Sequence, residues 1–122
     1  MLIVEDPAMN RAILCDIFTD SFAISEAING ISGLEFLING GNADIIMLDI
    51  NMPEMDGFEM LAKLKENDDT KNIPVLITSQ IAHKEEVKLK EMGASGFIAK
   101  PYTKDAIVEK VDEILNAASA MG

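Results

Sequence analysis

The stretch Ile45-Ile46-Met47-Leu48-Asp49-Ile50-Asn51-Met52-Pro53-Glu54-Met55-Asp56-Gly57 restricts the fold more than any other part of the chain. Its first four residues are all apolar. A strand there is covered on both faces, as in a parallel sheet between two helix layers. Asp49 follows directly. An ionised carboxylate is costly to bury, so Asp49 belongs at the carboxyl end of that strand, where ligands of open α/β sheets gather. Met52-Pro53 then breaks the element, and a helix restarts after Asp56-Gly57.

The same alternation runs through the rest of the chain. Met1 to Val4 read as a first strand ending in Glu5-Asp6, with Pro7 suited to the first turn of a helix. In that helix Met9, Ile13 and Ile17 recur at helical spacing, with Leu14 and Phe18 alongside. Ser21 to Ala27 read as a second strand, punctuated by Asn29-Gly30, and Ile31, Leu34, Leu37 and Ile38 give a short helix. After the central strand comes a helix with Phe58, Leu61, Ala62 and Leu64. Pro74 to Ser79 form a fourth strand ending in two hydroxyls. The helix from His83 to Met92 has a ragged apolar stripe and weak anchorage, and Gly93 caps it. Gly96 to Ala99 form a fifth strand ending at Lys100-Pro101, and the last helix carries Ile107, Val111, Ile114 and Leu115. Strand and helix alternate five times, which predicts an α/β, doubly wound, five-stranded parallel sheet flanked by five helices. Residues 1–122 are expected to form one domain.

Charge narrows the partners. The chain has 21 acidic and 10 basic residues, a net charge of -11. Such a surface does not suit nucleic acid or an anionic membrane, so proteins and cations are the expected partners. A single cysteine, Cys15, cannot form an internal disulfide, which fits a reducing cytoplasm.

The polar residues at the expected carboxyl ends of the strands come from four separate parts of the chain. They are Glu5 and Asp6, Asp49 and Asn51, Thr78 and Ser79, and Lys100. Crowded carboxylates repel one another, and a divalent cation removes that cost. Oxygen donors without His or Cys suit a hard ion such as Mg2+, with Mn2+ as a substitute. Asp6 and Asp49 would bind through carboxylates and Asn51 through its carbonyl. Glu5 either acts through a metal-bound water or pairs with Lys100. With Lys100 and the Thr78 hydroxyl beside it, Asp49 is placed to attack a phosphoryl group and become an acyl phosphate.

On these residues the chain resembles the receiver domain of two-component response regulators, of the chemotaxis-regulator kind. The segments that carry the resemblance are Ile3-Val4-Glu5-Asp6, Ala27-Ile28-Asn29-Gly30, Leu48 to Gly57, Ile73 to Ser79, and Gly93 to Tyr102. The resemblance implies a flavodoxin-like sheet of order 2-1-3-4-5, an order familiar from flavodoxin and receiver proteins. It implies Asp49 as phosphoacceptor, with a histidine kinase or His-phosphotransfer protein as donor. It places Mg2+ at Glu5, Asp6, Asp49 and Asn51. It implies a cis Lys100-Pro101 bond, Thr78 and Lys100 as phosphoryl-contacting groups, and Phe97 as a switch aromatic. Signalling to a downstream protein would pass through the face made by the fourth helix, fifth strand and last helix. Such a protein is a phosphoacceptor switch rather than an enzyme, with at most slow autodephosphorylation. Asn51, Gln80 and Ser79 are expected to tune hydrolysis. Glu5 stands where an Asp is more usual, and Ser79 where a smaller residue is common.

Two other readings compete. A haloacid-dehalogenase-type phosphatase also attacks with Asp, but Asp49-Ile50-Asn51 lacks that family's second acid, and Pro53 replaces its usual Thr or Val. A degenerate, phosphorylation-independent binding module would not need the acids, Thr78 and Lys100 together.

Overall fold

In the computed structural model, the described residues are 1–5, 8–50, 57–79 and 82–121, with side chains described outside 82–86 and 119–121. The elements alternate as β1 (Leu2–Val4), α1 (Ala8–Phe18), β2 (Ser25–Ala27), α2 (Gly30–Ile38), β3 (Ile46–Asp49), α3 (Gly57–Glu66), β4 (Val75–Ser79), α4 (Ala82–Glu91), β5 (Gly96–Ala99) and α5 (Lys104–Met121). The five strands form one sheet in the order β2-β1-β3-β4-β5, and every pairing is parallel. Fold class and strand order are those expected.

Strand alternation sends successive side chains to opposite faces and creates two cores. On one face Leu2, Val4, Ile46, Leu48, Val75 and Ile77 pack with Leu37 of α2, Met60, Leu61 and Leu64 of α3, and Leu89 of α4. On the other, Ile3, Met47 and Leu76 pack with Leu14 and Phe18 of α1 and Ile107, Val111 and Ile114 of α5. Apolar residues at adjacent strand positions are needed because neither face meets water.

Helix ends follow local chemistry. Asn29 caps α2, its Oδ1 accepting from Ser32 N at 2.8 Å. After α4, Gly93 adopts φ +99, and Ala94 N reaches back to Leu89 O at 3.0 Å. That left-handed turn suits a residue without a Cβ.

Two expectations are corrected. Of the stripe Met9, Ile13 and Ile17, only Ile17 packs against a core. Met9 is 75% and Ile13 50% exposed, whereas Leu14 and Phe18 are buried. α1 is apolar on more than one side, and the sheet selected the neighbouring stripe. The second strand is also shorter than Ser21–Ala27. Only Ser25–Ala27 join the ladder, because Ser21 N and Phe22 N both return to Phe18 O at the end of α1. Phe22 stacks edge-on against Phe18, with ring centroids 5.9 Å apart.

Candidate functional site

The carboxyl rim of the sheet gathers side chains from both ends of the chain. β1 delivers Glu5, β3 ends on Asp49, β4 ends on Thr78 and Ser79, and Lys100 follows β5. Register brings Asp49 opposite Thr78 and Ser79 opposite Ala99. Ser79 O accepts from Lys100 N at 2.8 Å, so the lysine backbone continues the ladder past the end of β5. The Lys100-Pro101 bond is cis, as expected.

Lys100 ties the site together. Its Nζ lies 2.7 Å from Glu5 Oε1 and 3.3 Å from Asp49 Oδ2. Glu5 is 1% and Asp49 4% exposed, so one ammonium serves two carboxylates at the bottom of the rim. Glu5 pairs with Lys100, one of the two ways open to it. Burial pushes the Glu5 carboxyl above its ordinary value, and the Asp49 charge adds to this against the pull of Lys100. For Lys100 burial acts downward, but the Glu5 hydrogen bond and the two carboxylate charges outweigh it and hold the ammonium above its ordinary value. An isolated ion pair would lower the acid and raise the base. Desolvation wins at Glu5 and pairing wins at Lys100 because the lysine side chain keeps 17% of its surface in solvent against 1% for Glu5.

Thr78 Oγ1 is fully buried and has no hydrogen-bond partner among the described residues. Among the described residues nothing offsets the desolvation cost of that hydroxyl. Phe97 is half-buried on β5 against the core shared by α2, α3 and α4, with Lys90 Nζ 5.8 Å from its ring centroid. Gly57 opens α3 directly beneath the site, where an added Cβ would stand 2.5 Å from Ile50 Cα and 2.8 Å from Asp49 O. The helix start therefore presses on the backbone that carries Asp49, and only a glycine fits.

Asp6, Asn51 and Gln80 lie outside the described residues. Among the described residues, no group of three His, Cys, Asp or Glu side chains is arranged to hold a metal ion. The oxygens of Glu5 and Asp49 nevertheless suit a hard cation, since both already face a single positive charge.

Three participants escaped the sequence reading. Asn10 Nδ2 donates to Glu5 Oε1 at 3.2 Å, and Arg11 Nη1 donates to the Glu5 carbonyl at 2.8 Å. The available signal was a polar pair in a mostly apolar helix, a little over one turn beyond the acids. Tyr102 lines a cavity of about 570 Å3 with Asn10, Ile13, Lys100 and Pro101. Burial, then the Glu5 and Asp49 charges, push its phenol up to about 12.

Known proteins are similar to this chain in sequence and fold. Residues 1–112 match the family model described as response regulator receiver domain. The chain is 32% identical over 118 residues to the chemotaxis protein CheY of Halobacterium salinarum, covering 96% of this chain and 97% of that protein. It is 31% identical over 116 residues to the probable transcriptional regulator ycf29 of Porphyra purpurea, covering 94% of this chain and 55% of that one. The chain thus spans about half the length of that relative. The signal receiver domain of a signal transduction histidine kinase from Syntrophus aciditrophicus superposes with a TM-score of 0.85 at 30% identity, covering 95% of this chain and 89% of that one.

Proposed function

This chain belongs to the response regulator receiver domain family of two-component signalling, and we propose that residues 1–122 act as one phosphoacceptor module whose reactive group is Asp49. The observation that carries the reading is the Lys100 ammonium, 2.7 Å from Glu5 and 3.3 Å from Asp49. An Asp49 oxygen attacks the phosphorus of a phosphohistidine on a histidine kinase or His-phosphotransfer protein. The new O–P bond forms as the P–N bond breaks, and the electron pair leaves with the imidazole nitrogen. Lys100 offsets charge on the transferred oxygens, and the Thr78 hydroxyl donates to one of them.

Asp6, Asp49 and the Asn51 carbonyl would hold Mg2+, or Mn2+ in its place, with Glu5 beside them through Lys100 or a bound water. When bound, the ion supplies charge neutralisation at the transferred phosphoryl group. Asn51, Gln80 and Ser79 would tune hydrolysis by excluding or admitting water.

The output surface is the face of α4, β5 and α5. Among its described side chains, α4 places only Leu89 in the core, whereas α5 places Ile107, Val111 and Ile114 there. Elements with few core contacts shift at low cost, which supports α4 as the moving part. Phe97 packs against the core that holds Leu89 of that helix, with Lys90 over its ring, and its rearrangement would carry the signal to a downstream protein. No described helix is long and apolar enough to cross a membrane.

Incubation with acetyl phosphate and Mg2+ followed by intact mass tests the chemistry. The expected result is a gain of one phosphoryl group that Asp49→Asn abolishes. Labelling that persists in Asp49→Asn, or continuous turnover of a simple phosphate ester, would overturn the reading.

A further inference from the structure

Glu5 is held from three directions. Its Oε1 accepts from Lys100 Nζ at 2.7 Å and from Asn10 Nδ2 at 3.2 Å. Its carbonyl accepts from Arg11 Nη1 at 2.8 Å, and Arg11 Nε lies 3.5 Å from Glu26 Oε1 of β2. An ionised carboxylate offers only acceptors, so Asn10 must turn its amide NH2 toward Glu5.

This matters because of how a lysine is placed. Its ammonium is a compact charge on a flexible stem, and the oxygens it meets decide where it stops. The nearer of its two carboxylate contacts is Glu5 Oε1. A glutamate carries one more rotatable bond than an aspartate, so that oxygen swings unless something fixes it. Asn10 stands on α1, which is anchored in the core by Leu14 and Phe18. It supplies a fixed, neutral donor that directs the carboxylate without competing for the lysine charge. Arg11 does the same for the main chain of Glu5 from the next position along the helix.

We propose that Asn10 is a positioning residue for phosphoryl acceptance: it pins Glu5 Oε1 and so sets the point from which Lys100 reaches Asp49. This rests on the reading of Asp49 as the acceptor. Asn10 does not touch the reacting atoms, and its effect passes entirely through Lys100.

The test is a double-mutant cycle on the full chain, following phosphoryl gain from acetyl phosphate with Mg2+. Asn10→Ala should slow labelling by about tenfold, the scale of a lost hydrogen bond to a charged group. In a Lys100→Ala background the same change should alter the rate by less than about twofold, because the two residues act in series. A residue that merely supports the fold would slow both backgrounds equally, so equal factors, or no effect of Asn10→Ala, would overturn the proposal. The side-chain ammonium resonance of Lys100, followed by NMR in the unphosphorylated protein, gives a second measurement that needs no labelling. It should shift or broaden in Asn10→Ala, and an unchanged resonance would also overturn the proposal. If the wild-type chain takes up no phosphoryl group, the acceptor reading fails, yet the resonance still decides the role of Asn10.

Discussion

The two rims of the sheet treat buried polar groups in opposite ways. At the amino rim Thr70, Ser95 and Lys65 are spent on backbone. Thr70 Oγ1 donates to Leu64 O at 2.7 Å, Ser95 Oγ accepts from Val75 N at 3.2 Å, and Lys65 Nζ donates to Lys71 O at 3.0 Å. At the carboxyl rim Arg11 and Asn29 also meet backbone, but the charged groups at its centre face one another. Two carboxylates share one lysine, and Thr78 Oγ1 finds no partner among the described residues. One rim closes the fold; the other tolerates unsatisfied chemistry, which is the usual mark of a functional end.

The largest expected effect would break this contrast outright. Thr70→Val leaves the buried Leu64 carbonyl without its donor and should cost about 1–3 kcal/mol in urea unfolding. Thr78→Val removes a hydroxyl with no partner among the described residues and should shift stability by less than about 0.5 kcal/mol, while slowing phosphoryl uptake. The reverse ranking of the two threonines would refute the contrast.

A smaller effect sharpens it through pH. The folded-state pKa of Glu5 is raised above 4.5, so the folded protein holds that proton more tightly than the unfolded chain. This group therefore favours folding below its unfolded pKa, and the advantage is lost as pH rises through the folded value. Glu5→Gln removes that dependence. Relative to wild type, the variant should be more stable near neutral pH than in acid, as read by unfolding at both. A stability difference independent of pH would show that burial does not dominate at Glu5.

The smallest effect is spectroscopic. Tyr102 is the single tyrosine of a chain without tryptophan, so its phenolate absorbance is uncluttered. Its titration should centre at about 12 rather than 10.0, and Asp49→Asn should bring it down by removing a nearby negative charge. A midpoint near 10.0 would place the ring outside the field of the rim.

Most of the scaffold could be read from the residues alone. Ile45 to Leu48 demanded two covered faces, and the structure buries them on both. Asp49 and Lys100, 51 positions apart, meet as the strand ends required. The missed features depend on tertiary choice. Met9 and Ile13 have the right period for a core face, but α1 had two such faces and packing selected the other. Ser21 to Ile24 look like strand but fold back on α1 through Phe18 and Phe22. Asn10 and Arg11 carry no motif of their own, and their contacts with Glu5 exist only once α1 lies against β1.

The bond between Lys100 and Glu5 closes a loop of 95 residues. Nothing local assembles the reactive corner, because its lysine follows the fifth strand and its first acid follows the first. A partly folded or nicked chain that had formed every earlier strand would still present Asp49 without its counter-charge. On the proposed reading of Asp49 as acceptor, its counter-charge is in place only once the fifth strand has joined the sheet.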